Sequence, residues 1–298
     1  MSDTKSFFDK WRSATFWPSK DDIEWRHAET VRGLGSIDQR LDVVEGLLAQ
    51  PGIKNRRMKV EELAELFPRF RPYTTDTPLI RCGGEGDGGY LIPDDLSGIE
   101  ACFSPGVNDI AHFETDMVER GIRCFLADAS VNSSPVYHPL IEFDKLFLGA
   151  NTQGSFVTLD DWIAGKNVGN GDLLLQMDIE GAEYDVLFAA QESTLRRCRI
   201  MVIEFHHLTS LLDPLGAKLI QLCFDKLLRL FDIVHIHPNN CCPPSTLGPF
   251  TVPPVMEFTF LRKDRVKKRV PTSRFPHELD RPNVAIHEDI ELPRCWYG

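Results

Sequence analysis

The chain has 298 residues, 42% of them hydrophobic and 26% charged, enough for one sizeable α/β domain and an appendage. A net charge of −11 argues against a nucleic-acid binder, which would present a basic face. No apolar run of about 18 residues or more spans a membrane, no signal-peptide pattern opens the chain, and the scattered cysteines form no C-x-x-C pair, so reduced thiols in a cytoplasmic setting are expected.

In chain order, Lys5 to Trp17 mixes Phe7, Phe8, Trp11, Phe16 and Trp17 with Lys5, Lys10 and Arg12. Such a segment packs on the domain or a partner chain, or lies on a membrane surface. Ser19-Lys20-Asp21-Asp22 and Ser36-Ile37-Asp38-Gln39 are capping patterns that predict two helices. Ile37, Leu41, Val44 and Leu48 give the second helix an apolar stripe, and Pro51-Gly52 ends it. A third helix is predicted over Val60 to Phe67, closed by Pro68. Residues 1–75 therefore read as a helical N-terminal segment for homo-oligomerisation or surface attachment. Five glycines follow between Gly83 and Gly89, the density of a ligand-approaching loop or of a hairpin turn.

Glu100 to Phe103 is a short strand, followed by Ser104-Pro105-Gly106-Val107-Asn108-Asp109, a helix to about Gly121, and a strand Arg123 to Ala127 ending at Asp128. This is half of a nucleotide-binding α/β domain. Asp128 lies 22 positions after Gly106, where such folds place the acid that binds a ribose hydroxyl. Residues 129–150 lack clear periodicity. A third strand is predicted over Gly154 to Leu159, then a helix in which Asp160 reads as a cap.

The centre of the sequence is Leu173-Leu174-Leu175-Gln176-Met177-Asp178-Ile179-Glu180-Gly181-Ala182-Glu183. A buried strand runs into a carboxylate, a glycine and a helix predicted to reach about Arg197. Ligands of open α/β sheets bind at such carboxyl edges. Glu180 and Glu183 read either as helix caps or as part of a site. The strand Arg199 to Phe205 brings Glu204, His206 and His207 to the same edge. A helix from Ala217 and two strands, Phe231 to His237 and Val255 to Arg262, complete the set. The proline-rich loop 238–254 between them is long enough to be functional. After Lys263 a basic stretch and then prolines and acids predict a solvated tail.

Thr158-Leu159-Asp160-Asp161, the Gln176-to-Glu183 segment, Val202-Ile203-Glu204, His237-Pro238-Asn239-Asn240 and Pro254 to Phe260 together resemble the FkbM family of S-adenosylmethionine-dependent methyltransferases. The resemblance covers roughly residues 80–263. It implies a class I methyltransferase fold, a Rossmann-like α/β architecture. Its seven-stranded, mostly parallel sheet has helices on both faces and an antiparallel final strand. The chain departs from the family's glycine motif at Ser104, which replaces an acid, and at Ile110, which replaces a glycine. Gln176 replaces the usual lysine. The domain expected is 76–264, with an irregular tail over 265–298.

The resemblance implies O-methylation of a hydroxyl on a glycan or glycoconjugate. Ser104, Gly106, Asn108 and Asp128 are the candidate cofactor contacts. Asp178, Glu204 and His206 are the catalytic candidates. A hydroxyl acceptor needs a base or a metal. Asp178 and Glu204 are candidate ligands for a divalent ion such as magnesium, and His206 has the ordinary pKa of a base near neutrality. Two other readings remain open: a metal-dependent hydrolase using Asp178, Glu204 and His206, and a binding protein that has lost the cofactor. The expected setting is cytoplasmic, with peripheral contact at the inner face of the membrane as the alternative.

Overall fold

A computed structural model describes residues 57–297. The aromatic segment and the two helices predicted before residue 50 lie outside them. Seven strands form the central sheet: β1 (Ile99–Pro105), β2 (Arg123–Ala127), β3 (Ile141–Asp144), β4 (Asp172–Met177), β5 (Cys198–Phe205), β6 (Phe231–Pro238) and β7 (Met256–Arg262). Their order is β6-β7-β5-β4-β1-β2-β3. All neighbours are parallel except β7, which runs antiparallel to both β5 and β6. The sheet is therefore mixed but mostly parallel, and α/β in class.

The interior strands are apolar on both faces because both faces are covered. Side chains alternate across the pleat. Leu173, Leu175 and Met177 enter one core, while Leu174 enters the other. The first core also holds residues of α1 (Val60–Leu66), α3 (Leu159–Gly165), α4 (Glu183–Ala189) and α6 (Pro214–Leu227). The second is covered by α2 (His112–Glu119) and by a hairpin of two short strands, Leu79–Cys82 and Tyr90–Pro93. Among the described residues, no helix is long and apolar enough to cross a membrane.

Three expectations are corrected. The strand predicted over 154–159 shrinks to Phe156–Val157, which pairs with Phe147–Leu148 outside the main sheet. Its place is taken by β3, an edge strand paired on one side only, where half-exposed residues leave no clean apolar pattern. The helix predicted to reach Arg197 breaks at Ala190, whose backbone is extended, and resumes as α5 (Glu192–Leu195). Lys226 of α6 reaches that break and donates to the Leu187 and Phe188 carbonyls at 2.7 and 3.0 Å, satisfying acceptors that a helix end leaves free. Asp160 does not cap its own helix. Thr158 does, and Asp160 accepts from the Gln191 N–H ahead of α5.

The tail is irregular but not solvated. Arg269–Pro271 pairs with Tyr73–Thr75. Asp280 binds His235 at 2.8 Å, with both side chains buried. Trp296 is fully buried against Phe67 and Phe70, and its indole N–H donates to Thr251 O at 2.8 Å. Leu63 and Leu66 of α1 join the same core, so this helix packs with the sheet.

Candidate functional site

Register brings the chemistry together. Pro105 pairs with Ala127, Phe103 with Leu175, and Ile203 with Met177. The residues following β1, β2, β4 and β5 therefore share one carboxyl edge, the place where α/β sheets bind ligands.

At the β1–β2 half, Gly106 has φ +90°, and a Cβ there would lie 1.5 Å from the Asp178 carbonyl oxygen. Glycine is needed because the backbone that follows β4 passes against this turn. Asn108, also left-handed at φ 47°, donates its N–H to Asp128 Oδ2 at 2.8 Å. Asp128 Oδ1 accepts from the Ser130 N–H and hydroxyl at 2.8 and 2.6 Å. Gly106, Asn108 and Asp128 thus lie together at one turn.

Ser104 does not join them. Strand alternation turns it onto the α2 face, where it is fully buried. There its hydroxyl meets the Glu114 carboxylate of α2 and lies 2.5 Å from Gln176 Oε1. Gln176 Nε2 lies 3.3 Å from the Tyr90 hydroxyl. Burial pushes Glu114 up to about 6, against the Ser104 hydrogen bond that lowers it. Ser104 and Gln176 are thus joined in a buried network beneath the loop.

At the β4–β5 half, Glu180 is left-handed at φ 57°, a conformation that non-glycine residues seldom adopt. The turn leads into α4 and seats Glu183, whose side chain is 0% exposed. Glu183 Oε1 accepts from the Ile179 and Gly181 N–H groups at 3.2 and 3.0 Å, and lies 3.0 Å from His206 Nδ1. His206 Nε2 faces Glu180 Oε2 at 3.5 Å and Asp178 Oδ1 at 3.9 Å.

Burial alone would lower the His206 pKa. The Glu183 hydrogen bond and the charges of Glu183, Asp178 and Glu180 outweigh it and lift His206 to about 9. His206 is therefore an imidazolium at neutral pH, which overturns the expectation of a free base of ordinary pKa. Burial would raise Glu183, but its bond to His206 and the His206 charge hold it below the usual range. Burial and then the Glu204 charge push Asp178 well above the carboxylate range, while His206 pulls it down.

Glu204 turns the other way. It is buried and faces Glu257 across β5 and β7, and Asn239 Nδ2 donates to its Oε1 at 2.9 Å. Burial, then Glu257 and Asp87, push it well above its ordinary pKa. Glu204 thus stands apart from the donors that gather around Asp178. Among the described residues, the group whose donor atoms converge within 4.8 Å of one another is Asp178, Glu183 and His206. The sequence pointed to Asp178 and His206, but not to Glu183 as their partner. Its signal was the acid six positions beyond the strand end, read as a cap or a site residue.

The glycine-rich stretch forms the loop of the hairpin. Arg81 donates to the Gly84 and Gly86 carbonyls at 2.9 and 3.0 Å. A Cβ at Gly89 would lie 2.0 Å from Gly84 O, so this close approach is to the loop's own backbone. Asn283 of the tail connects the loop to the sheet edge, donating 2.8 Å to Glu257 and 3.3 Å to Asp87.

Residues 129–227 match the family model described as the methyltransferase FkbM domain. No curated protein matches the chain. The match begins one residue after Asp128 and takes in β3, β4 and β5 with Asp178, Glu183, Glu204 and His206. Over these residues the chain is similar to the FkbM methyltransferase domain.

Proposed function

We propose that the protein is an S-adenosylmethionine-dependent O-methyltransferase acting on a hydroxyl of a carbohydrate or glycoconjugate. The observation that carries the reading is the shared sheet edge. A Gly106–Asn108 turn tied to Asp128 lies beside a β4 end bearing Asp178, within the strand order that the class I methyltransferase fold implies.

The cofactor is assigned to the β1–β2 half, with its ribose on Asp128 and the Gly106–Asn108 backbone alongside. Ser104 supports that loop from below. The acceptor is assigned to the β4–β5 half. Methyl transfer is an in-line displacement: the acceptor oxygen forms a bond to the methyl carbon as the carbon–sulfur bond breaks, and the thioether product departs. Alignment supplies much of the rate. Asp178 takes the hydroxyl proton; burial and the Glu204 charge raise its pKa, which makes it a stronger base than an ordinary carboxylate. The His206 imidazolium, fixed by Glu183, pulls the Asp178 pKa down, against burial and the Glu204 charge that raise it. Glu204, buried behind, sets the field around Asp178. Carboxylates at an open edge accept hydrogen bonds from sugar hydroxyls, which supports a glycan acceptor.

Isothermal titration with S-adenosylmethionine tests the assignment. Saturable binding supports it, and no binding by the folded protein overturns it.

A further inference from the structure

We propose that Asp178, Glu183 and His206 form a binding site for a divalent cation of borderline type, with manganese(II) the best fit. The inference rests on the reading of the β4–β5 edge as the acceptor side. It replaces the Asp178–Glu204 pair with a set that the fold assembles.

Three observations carry it. The three side chains each offer one donor atom, all within 4.8 Å of one another, from the end of β4, the first residue of α4 and the end of β5. Two of these side chains have an unused oxygen: Asp178 Oδ1 and Glu183 Oε2 are enclosed and lack any hydrogen-bond partner. Glu183 is fully buried, so solvent does not satisfy that oxygen. Finally, the local charge is unbalanced. Asp178, Glu180 and Glu183 surround one imidazolium, three carboxylates to a single cation, and an ion bound at its Nε2, 3.5 Å from Glu180 Oε2, would take the place of the proton there. Buried carboxylates that close repel unless a cation or a proton lies between them.

The donor set fixes the class of ion. Two carboxylates and one imidazole nitrogen are too oxygen-rich for a structural zinc site and include a nitrogen that magnesium does not favour. Glu180 is largely exposed, with 76% of its side chain accessible, and is free to swing in as a fourth ligand. The remaining positions would take water or the acceptor hydroxyl, whose proton a bound cation makes easier to remove.

The probe is manganese(II) alone, added to the full chain without S-adenosylmethionine and followed by loss of the free-ion electron paramagnetic resonance signal. Saturable binding of about one ion per chain below roughly 1 mM is expected. Asp178→Asn and His206→Gln should each weaken it about 10–100-fold, with near-ultraviolet circular dichroism confirming that each variant is folded. Absence of saturable binding overturns the site. So does binding that folded forms of both variants retain at wild-type affinity, because the ion then sits elsewhere on an acidic chain. S-adenosylmethionine titration of the same samples separates the two failures. Cofactor binding without manganese binding removes the cation site and leaves the methyltransferase reading. Manganese binding without cofactor binding does the reverse.

Discussion

The two halves of the sheet edge handle the same chemical problem in opposite ways. Each ends a parallel strand in a carboxylate. In the β1–β2 half, both oxygens of Asp128 accept protein N–H or O–H groups. In the β4–β5 half, Asp178 Oδ1, Glu183 Oε2 and Glu204 Oε2 are enclosed without partners, and neighbouring carboxylates face one another. The first arrangement fixes a loop. The second holds charge in readiness for a proton, a cation or a hydroxyl. A carboxylate at a strand end therefore has no fixed meaning until its donors are counted.

The largest expected effect breaks both halves at once. Gly106→Ala would put a methyl group 1.5 Å from the Asp178 carbonyl oxygen. The loop must move, and a loss of stability above about 4 kcal/mol is expected, read from urea unfolding. Unfolding at the wild-type midpoint would show that the two strand ends are not locked together.

Asp178→Asn tests the second half alone. The amide keeps the shape and loses the charge. Turnover should fall about 10²–10⁴-fold, the usual contribution of a general base. S-adenosylmethionine affinity, measured by titration, should change little. Near wild-type turnover would leave Asp178 as a structural residue.

Asp128→Ala tests the first half. A hydrogen bond to a charged group contributes roughly 1.5–3 kcal/mol, so affinity for S-adenosylmethionine should drop about ten- to a hundredfold. Unchanged affinity in a folded variant would detach Asp128 from the cofactor and make it purely a loop clamp.

The smallest effect concerns Glu114 beneath the first half. Its pKa in the fold is raised to about 6 from an ordinary 4.5. A raised carboxyl binds more protons folded than unfolded, so its stabilising contribution is present below pH 4.5 and is lost as pH rises through 6. Glu114→Gln should therefore gain up to about 2 kcal/mol relative to wild type at pH 8 compared with pH 4. A pH-independent difference in thermal unfolding would show that Glu114 is not the titrating group.

Much of this was legible in the residues. Leu173 to Met177 and Arg199 to Phe205 are apolar runs of strand length, and strands covered on both faces must be so. Asp128, Asp178 and His206 were marked because each follows such a run. The edge strand β3 was not legible, since a strand paired on one side leaves part of its surface polar. The break at Ala190 was hidden because the Lys226 side chain that serves it comes from another helix.

The sequence by itself determined the α/β class, the identity of most central strands, and which acids stand at their carboxyl ends. Periodicity and strand length are local properties, written in consecutive residues. Only the tertiary structure decided which of those acids face one another. It turned Ser104 under the loop, paired Glu183 with His206, and set Glu204 against Glu257. Only the fold could lift His206 to about 9, because that pKa is the sum of burial and of charges brought from β4, α4 and the turn between them. Such sums depend on distances across the sheet, and no spacing along the chain encodes them.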